Sequence, residues 1–394
     1  MRIGMLLDHP FPYDTRVANE ARSLVDAGHE VLLFCLNVGG AAPTRETFDG
    51  VEIVRHAISQ AFWKKASALV LTLPSYNLWF RPRLRRFLRH YRIEALHVHD
   101  LPLVGEGLRA ARRAGIPLIA DLHENYPAAI RLYDWRRRFP ARLLVRPRQW
   151  DTYEARILPQ VDRIIVVIDE ARDRLLRLGL PAARIAVVEN TVAVEEFVGF
   201  PRDEALIERL AARFTVSYVG HFDRHRGLET AIEAVGLIKG QMPDLLLVLA
   251  GTGTIQGALA RKALRLGIGK QVSFEGWQPF PRFPSYMRGS RVCLIPHVKS
   301  PHTDTTIPHK LFHAMILERP VVASNCAPIE RILRETNAGL VYPSGDAQQL
   351  AGALLALRDR DLRGRLGQAG KRAVLERYRW QVSARRLIDL YAGF

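Results

Sequence analysis

Two cationic side chains stand where a phosphate group would be held. Lys310 follows an apolar run (Val292–Pro296) and a polar loop, and opens a stretch with Leu311, Phe312, Ala314, Met315 and Leu317 at helical spacing. Pro308 suits the first position of that helix, because it has no N–H to leave unpaired. The amides of His309, Lys310 and Leu311 would then point into the loop. With the Lys310 ammonium and the helix dipole they describe an anion site. Arg226 lies in a second strand-to-helix turn, Gly-His-Phe-Asp-Arg-His-Arg-Gly over 220–227, where Gly220 permits a sharp exit and Gly227 a close approach. Between Arg226 and Lys310 a diphosphate would be bound, and stabilised as it leaves, by fixed positive charge.

His123 follows another apolar run and is crowded by Asp121, Glu124 and Asn125, which makes it a polar-site candidate as well as a structural histidine. His97 alternates with Leu96 and Val98 and reads as structural, whereas His99 and Asp100 stay open between the two readings. The His and Asp residues of 297–304 match no standard metal-ligand spacing, so no metal is expected. No G-x-G-x-x-G follows a strand, so neither NAD nor FAD is indicated.

The elements that must position these residues alternate. A strand (Arg2–Leu7), a loop (His9–Thr15), a helix (Val17–Ala27) ended by Gly28 and a second strand (Glu30–Leu36) open the chain. Further strands are expected at Ala95–His99, Ile116–Asp121, Val161–Val167 and Ile185–Val188, giving six or seven in one doubly wound domain. A fresh series starts at Thr215–Gly220 and continues through Leu245–Gly251, Val272–Gly276, Val292–Pro296, Val321–Ser324 and Gly339–Val341. Strand, loop, helix, strand is a βαβ crossover, which requires a parallel sheet with ligands at the strands' carboxyl ends.

At 394 residues the chain exceeds one ordinary core and fits two domains. With 48% hydrophobic and 25% charged residues it is globular rather than disordered. Cys35, Cys293 and Cys326 are few and far apart, as for buried thiols in a reducing compartment. The first residues are charged too soon for a signal peptide, and no window of roughly 18 uncharged apolar residues suggests a membrane span. A net charge of +17, mostly arginine, favours an anionic partner. Trp63, Trp79 and Phe80 interleave with Lys64, Lys65, Arg81, Arg83, Arg85, Arg86, Arg89 and Arg92, and a second cluster joins Arg136, Arg137, Arg138, Arg142, Arg146 and Arg148. The segment 62–92 therefore reads as a basic aromatic membrane surface, the bland alternative being a solvated helix face. No nucleic-acid motif accompanies the charge.

Across nearly its whole length the sequence resembles the retaining GT-B glycosyltransferases of the family-4 type (glycosyl transferases group 1). The segments DTRVANEARSLVDAGHEV, ADLHENYP, VVENTVAVEEF, YVGHFDRHRGLETAIEAV, VSFEGW, IPHKLFHAMILERPVVAS and YRWQ carry the likeness, in the family's order. The resemblance implies two Rossmann-like doubly wound domains facing each other across a cleft. They are an acceptor domain at 1–190, a nucleotide-sugar domain at 191–380, and a C-terminal helix at 381–394 packing back toward the first. It implies transfer of a sugar from a nucleotide-diphosphate sugar to a hydroxyl acceptor, glycan or lipid-linked, with retention and without a metal or other cofactor. Carried over by position, Arg226 and Lys310 hold the diphosphate, His123 lies by the sugar, Asp14, Thr15, Arg16 and Glu124 line the acceptor side, and Gly276 and Trp277 flank the base. The family's Glu-x7-Glu pair falls on Thr305 and His313, and a common Arg after the strand glycine is His221. The protein would be cytoplasmic, at the inner face of the membrane. The alternatives are a degenerate relative that binds a membrane or polyanion, and a phosphorylase using Lys310 for pyridoxal phosphate.

Overall fold

A computed structural model describes residues 1–12, 14–133 and 144–394. Arg136, Arg137, Arg138 and Arg142 of the second basic cluster lie outside the described residues. The chain divides into two compact units: unit 1 is Met1–Glu189 with Ser383–Phe394, and unit 2 is Asn190–Val382.

Unit 1 opens with β1 (Arg2–Leu6), α1 (Thr15–Asp26) and β2 (Glu30–Val38). A short strand β3 (Arg45–Phe48) pairs antiparallel with β4 (Val51–Ile58) at the sheet edge. Both escaped the sequence reading, and β4 pairs in parallel with β2 over seven residues. Arg55 interrupts the apolar pattern of β4, yet it is buried, pairs with Glu46 at 2.6 Å and donates to the Phe11 carbonyl. The helices α2 (Gln60–Ala68) and α3 (Ser75–His90) follow, then β5 (Ala95–His99), α4 (Leu101–Ala114), β6 (Leu118–Leu122), α5 (Tyr126–Leu132), α6 (Pro147–Ile157), β7 (Arg163–Val166), α7 (Asp169–Arg177) and β8 (Ile185–Val187). The sheet order is β3-β4-β2-β1-β5-β6-β7-β8. Strand order reverses between β1 and β5, which sets a ligand crevice at their carboxyl ends.

The segment 62–92 is not one interfacial helix. On α3, Tyr76, Phe80, Leu84, Phe87 and Leu88 are buried, and Phe80 packs on Phe34 at 5.7 Å. The aromatic stripe thus serves the core. Trp79 is half-buried under the Arg83 guanidinium at 4.1 Å, and the face left to solvent carries Leu78, Arg85, Arg86 and Arg89.

Unit 2 holds α8 (Val194–Gly199), α9 (Glu204–Ala211), β9 (Phe214–Val219), α10 (Leu228–Ile238), β10 (Leu245–Ala250), α11 (Gln256–Arg265), β11 (Val272–Gly276), α12 (Phe283–Gly289), β12 (Val292–Ile295), α13 (Lys310–Ile316), β13 (Val321–Ser324), α14 (Ala327–Thr336), β14 (Gly339–Tyr342), α15 (Ala347–Ala356) and α16 (Arg360–Glu376). Its sheet runs β11-β10-β9-β12-β13-β14, parallel throughout. Strands covered on both faces read as unbroken apolar runs; β10 (LLLVLA) is buried at every position. The switch point lies between β9 and β12, so their carboxyl ends, where Gly220 and Pro296 emerge, face the crevice. From Ser383 onward the last helix, α17 (Trp380–Tyr391), belongs to unit 1.

Candidate active site

At the unit 2 switch point β9 exits through Gly220 at φ +135°, and a Cβ there would stand 2.7 Å from the Lys310 Nζ. The bare glycine makes room for the lysine. Lys310 is the first residue of α13; its Nζ donates to the Val219 carbonyl at 2.5 Å and lies 4.0 Å above the Tyr218 ring. Burial, and then the nearby Arg226, push this ammonium well below its ordinary range. Arg226 ends a short 3-10 turn, Arg224–Arg226, and is followed by Gly227 at φ +67°. A Cβ at Gly227 would meet the Pro296 carbonyl oxygen at 1.7 Å, so this turn lies directly on the end of β12. One Arg226 nitrogen, Nη1, lies 3.2 Å from His297 Nε2, whereas its buried Nε has no hydrogen-bond partner. Among the described residues neither Lys310 nor Arg226 forms an ion pair. Two adjacent cations without a counter-charge leave the pocket electrostatically incomplete, and a diphosphate supplies what is missing.

Histidines deepen this field. His297 is held well below its usual range by burial, then by Arg226 and Lys310. His225 is pushed down to about 3 by burial, then by Arg226, His302 and Lys310. His302 falls to about 4, by burial and Arg226. All three face the cations neutral. Sequence reasoning had not placed His225 or His297 at the site, since loop residues carry no periodicity that shows where they point.

The other expected donor residues are placed as follows. The Leu311 amide is not free, because it donates to the Pro308 carbonyl at 3.1 Å, and the Leu311 side chain is buried. The helix starts two residues after Pro308, with His309 as its cap. His313 is buried and stacks on Phe197, with ring centroids 4.0 Å apart, and on His309 at 6.0 Å. The Thr305 hydroxyl donates to the Pro301 carbonyl at 2.7 Å. His221 is exposed and its carbonyl accepts from the Tyr218 hydroxyl. Gly276, at φ +69°, ends β11, and the Trp277 indole beside it is 70% exposed.

Unit 1 builds a second centre at its own switch point. Asp14 caps α1 by accepting from the amides of Arg16 and Val17, and Thr15 is the first helical residue. Arg16 was expected to line an open cleft; instead it is 2% exposed, because α1 lies across the sheet and the guanidinium meets Asp121 on β6. Its Nε and Nη2 donate to the two Asp121 oxygens at 3.1 and 2.7 Å, its Nη1 donates to the Val188 carbonyl, and Nη2 lies 2.7 Å from Glu20. Asp121 also takes His123 Nε2 at 2.7 Å and His99 Nδ1 at 3.1 Å. Burial works against the Asp121 charge, but Arg16 and His123 hold its carboxyl well below the usual range. Burial likewise works against a charged His123, yet Asp100, Asp121 and Asp14 raise it to about 10. At neutral pH this ring is an imidazolium, with Nδ1 3.6 Å from Asp100 and 4.0 Å from Asp14. Asp100 is a non-glycine residue at φ +63°, a strained backbone of the kind that clusters at working sites. Glu124 accepts from the Tyr133 hydroxyl at 3.0 Å.

Behind this centre, His97 Nδ1 meets the Tyr391 hydroxyl of α17 at 2.7 Å. Glu20, His97, His99 and Asp121 bring ligand-type atoms within 4.8 Å of one another. A metal ion there would have to displace the Arg16 guanidinium, which already serves as the buried cation.

Two parallel doubly wound units, one with a bare cation pair at its switch point, define the GT-B class of transferase. Two family models match in succession: Glycosyltransferase Family 4 over residues 14–196 and Glycosyl transferases group 1 over residues 213–360. A phosphatidyl-myo-inositol mannosyltransferase of Mycolicibacterium smegmatis is 26% identical over 99% of this chain and 93% of its own length. Among solved structures, sucrose-phosphate synthase from Thermosynechococcus elongatus superposes with a TM-score of 0.79 at 20% identity, covering 100% of this chain and 98% of that one. Anabaena HepE, solved in complex with UDP, gives 0.73 at 14% identity over the full length of both chains. The chain belongs to the family-4, group 1 glycosyltransferases, and it is a glycosyltransferase with the GT-B fold.

Proposed function

We propose that this glycosyltransferase moves a hexosyl group from a nucleotide-diphosphate sugar to a hydroxyl acceptor, with retention at the anomeric carbon and without a metal or other cofactor. The observation that carries the reading is the proximity of Lys310 and Arg226, two cations that form no ion pair among the described residues, at the carboxyl ends of β9 and β12. The anomeric carbon–oxygen bond to the diphosphate breaks and one to the acceptor oxygen forms, the acceptor's proton leaving with the diphosphate. Lys310 and Arg226 offset the charge that grows on the departing phosphate, the task a divalent ion performs elsewhere. His123, fixed as an imidazolium by three aspartates, is suited to donate a hydrogen bond to a sugar hydroxyl and is too basic to accept the acceptor's proton at neutral pH.

The acceptor is a glycan or a lipid-linked saccharide, and the enzyme works at the inner face of the membrane. Two observations support this: a relative named for a phosphatidyl-inositol substrate, and the exposed Arg85, Arg86 and Arg89 beside Leu78 on α3. Among the described residues no helix is long and apolar enough to cross a membrane. Turnover of a panel of nucleotide sugars with saccharide and lipid acceptors tests the whole. Lys310→Ala is expected to lower kcat/KM by roughly 10²–10³-fold with the fold retained. Unchanged kinetics would remove Lys310 from the site, and no turnover of any donor would defeat the proposal.

A further inference from the structure

Away from both centres, unit 1 carries a cavity of about 490 Å³ walled by α3, α4 and α6. Arg81, Arg109, Arg112, Arg113 and Arg156 line it, and among the described lining residues the one carboxylate is Glu106. That carboxylate is already committed: Arg81 holds both of its oxygens at 2.9 and 3.1 Å, and Arg109 donates to one of them at 2.5 Å. No hydrogen bond or ion pair from the guanidiniums of Arg112, Arg113 or Arg156 is found among the described residues. Arg112 and Arg113 lie in the last turn of α4 and Arg156 in the last turn of α6, where a helix end favours cations. The helix ends explain each residue by itself, but not the convergence of three elements on one hollow.

The walls are fixed. The Tyr153 hydroxyl accepts from the Gly105 amide at 2.7 Å, tying α6 to α4. Leu71, Pro102 and Ile157 give the cavity apolar surface as well as charge. Close in sequence to the lining residues Leu71 and Asn77, Leu73 is 46% and Leu78 53% exposed, on either side of the start of α3. A second hollow shares Leu71, Tyr153 and Arg156 and adds Arg146 and Arg148, so the positive lining continues outward.

We propose that this cavity binds the phosphate-bearing headgroup of an anionic membrane lipid, with the exposed Leu73 and Leu78 entering the acyl boundary. The inference rests on the membrane reading given above and gives it a particular site. Guanidiniums hold a phosphate diester through paired, charge-assisted hydrogen bonds, and exposed leucines close in sequence to the lining suit a ligand that continues into hydrocarbon. A free phosphate would use the arginines and leave the leucines idle. Among the described lining residues the one ring is Tyr153, short of the aromatic platform that nucleic acid would stack on.

The test is flotation of the full chain with vesicles of phosphatidylcholine alone or doped with phosphatidylglycerol, with and without excess glycerol 1-phosphate. The unsubstituted protein is expected to float only with the anionic vesicles, and less so as salt rises. The combined variant Arg112→Ala, Arg113→Ala, Arg156→Ala should lose on the order of 100-fold in vesicle partition, at about fivefold per arginine side chain. Its thermal melt and its turnover of a soluble acceptor should be unchanged. The proposal is overturned if this variant partitions like the parent while Arg85→Ala, Arg86→Ala, Arg89→Ala does not, which would move docking to the outer face of α3. Glycerol 1-phosphate protecting the protein against thermal unfolding without any vesicle binding would also overturn it. Loss of turnover in the unsubstituted protein would instead strike the transferase assignment, leaving the flotation result standing.

Discussion

The Arg16 guanidinium donates to both oxygens of Asp121 and to a carbonyl, with Glu20 alongside. The Lys310 ammonium has one carbonyl, an aromatic face and a second cation. Arg16 is buried and Lys310 half-buried, and their removal should move stability in opposite directions. Arg16→Met leaves Glu20 without its cation and Asp121 with the His123 imidazolium alone, a loss of about 3–5 kcal/mol. Lys310→Met removes a half-buried charge that has no ion-pair partner among the described residues and should leave the ligand-free protein as stable as before, or more so. Urea midpoints of the two variants against the parent check this; a large loss in Lys310→Met would mean that the ammonium is structurally paired. The difference separates a group that holds the fold from a group kept ready for a ligand.

Among the elements, the turn 220–227 shows how local chemistry sets the site. Gly227→Ala would force a Cβ into the Pro296 carbonyl at a φ that L side chains avoid. The β9–β12 junction must then part, at a cost of roughly 3 kcal/mol or more. Arg226 would move with it, so both the unfolding midpoint and the affinity for a nucleoside diphosphate should fall. Turns and apolar runs of this sort were legible in the sequence: β5, β11 and β13 have the expected limits, and Lys310 and Arg226 were marked from their places after strands. What was not legible depends on partners distant in the chain. Nothing near Arg55 says that Glu46 and a carbonyl will let it sit inside β4. Arg16 looks like a surface residue until Asp121, 105 positions away, turns it inward. On α3 the aromatic–arginine rhythm suits either an interfacial or a core-facing helix, and only the packing of Phe80 against Phe34 decides.

Taken whole, the molecule buries several neutral histidines. His97, His99, His297, His302 and His313 are each nine-tenths or more buried and shifted down, His99 to about 3 and His302 to about 4, with burial the leading cause. A lowered folded value means that below pH ~6.5 only the unfolded chain takes up the proton, so stability drops as pH falls. Each such histidine removes about 1.4 kcal/mol per pH unit until its folded value is reached. His123 works in the other sense: raised to about 10, it favours the fold below pH ~6.5, and that support is lost as pH climbs toward 10. Melting temperature plotted against pH should peak near neutrality and fall steeply on the acid side; a flat acid limb would contradict the buried, neutral state of these rings. Unit 1 also has a peculiarity of chain order, for it is closed by Ser383–Phe394, residues that come after all of unit 2. During synthesis on the ribosome, 189 residues of unit 1 must wait while the next 193 emerge before Tyr391 arrives to meet His97. Unit 2 is contiguous and is free to fold first, so the half bearing the lysine–arginine pair is the natural candidate for expression alone. A fragment stopped at Glu189 would carry an unfilled slot where the final helix belongs.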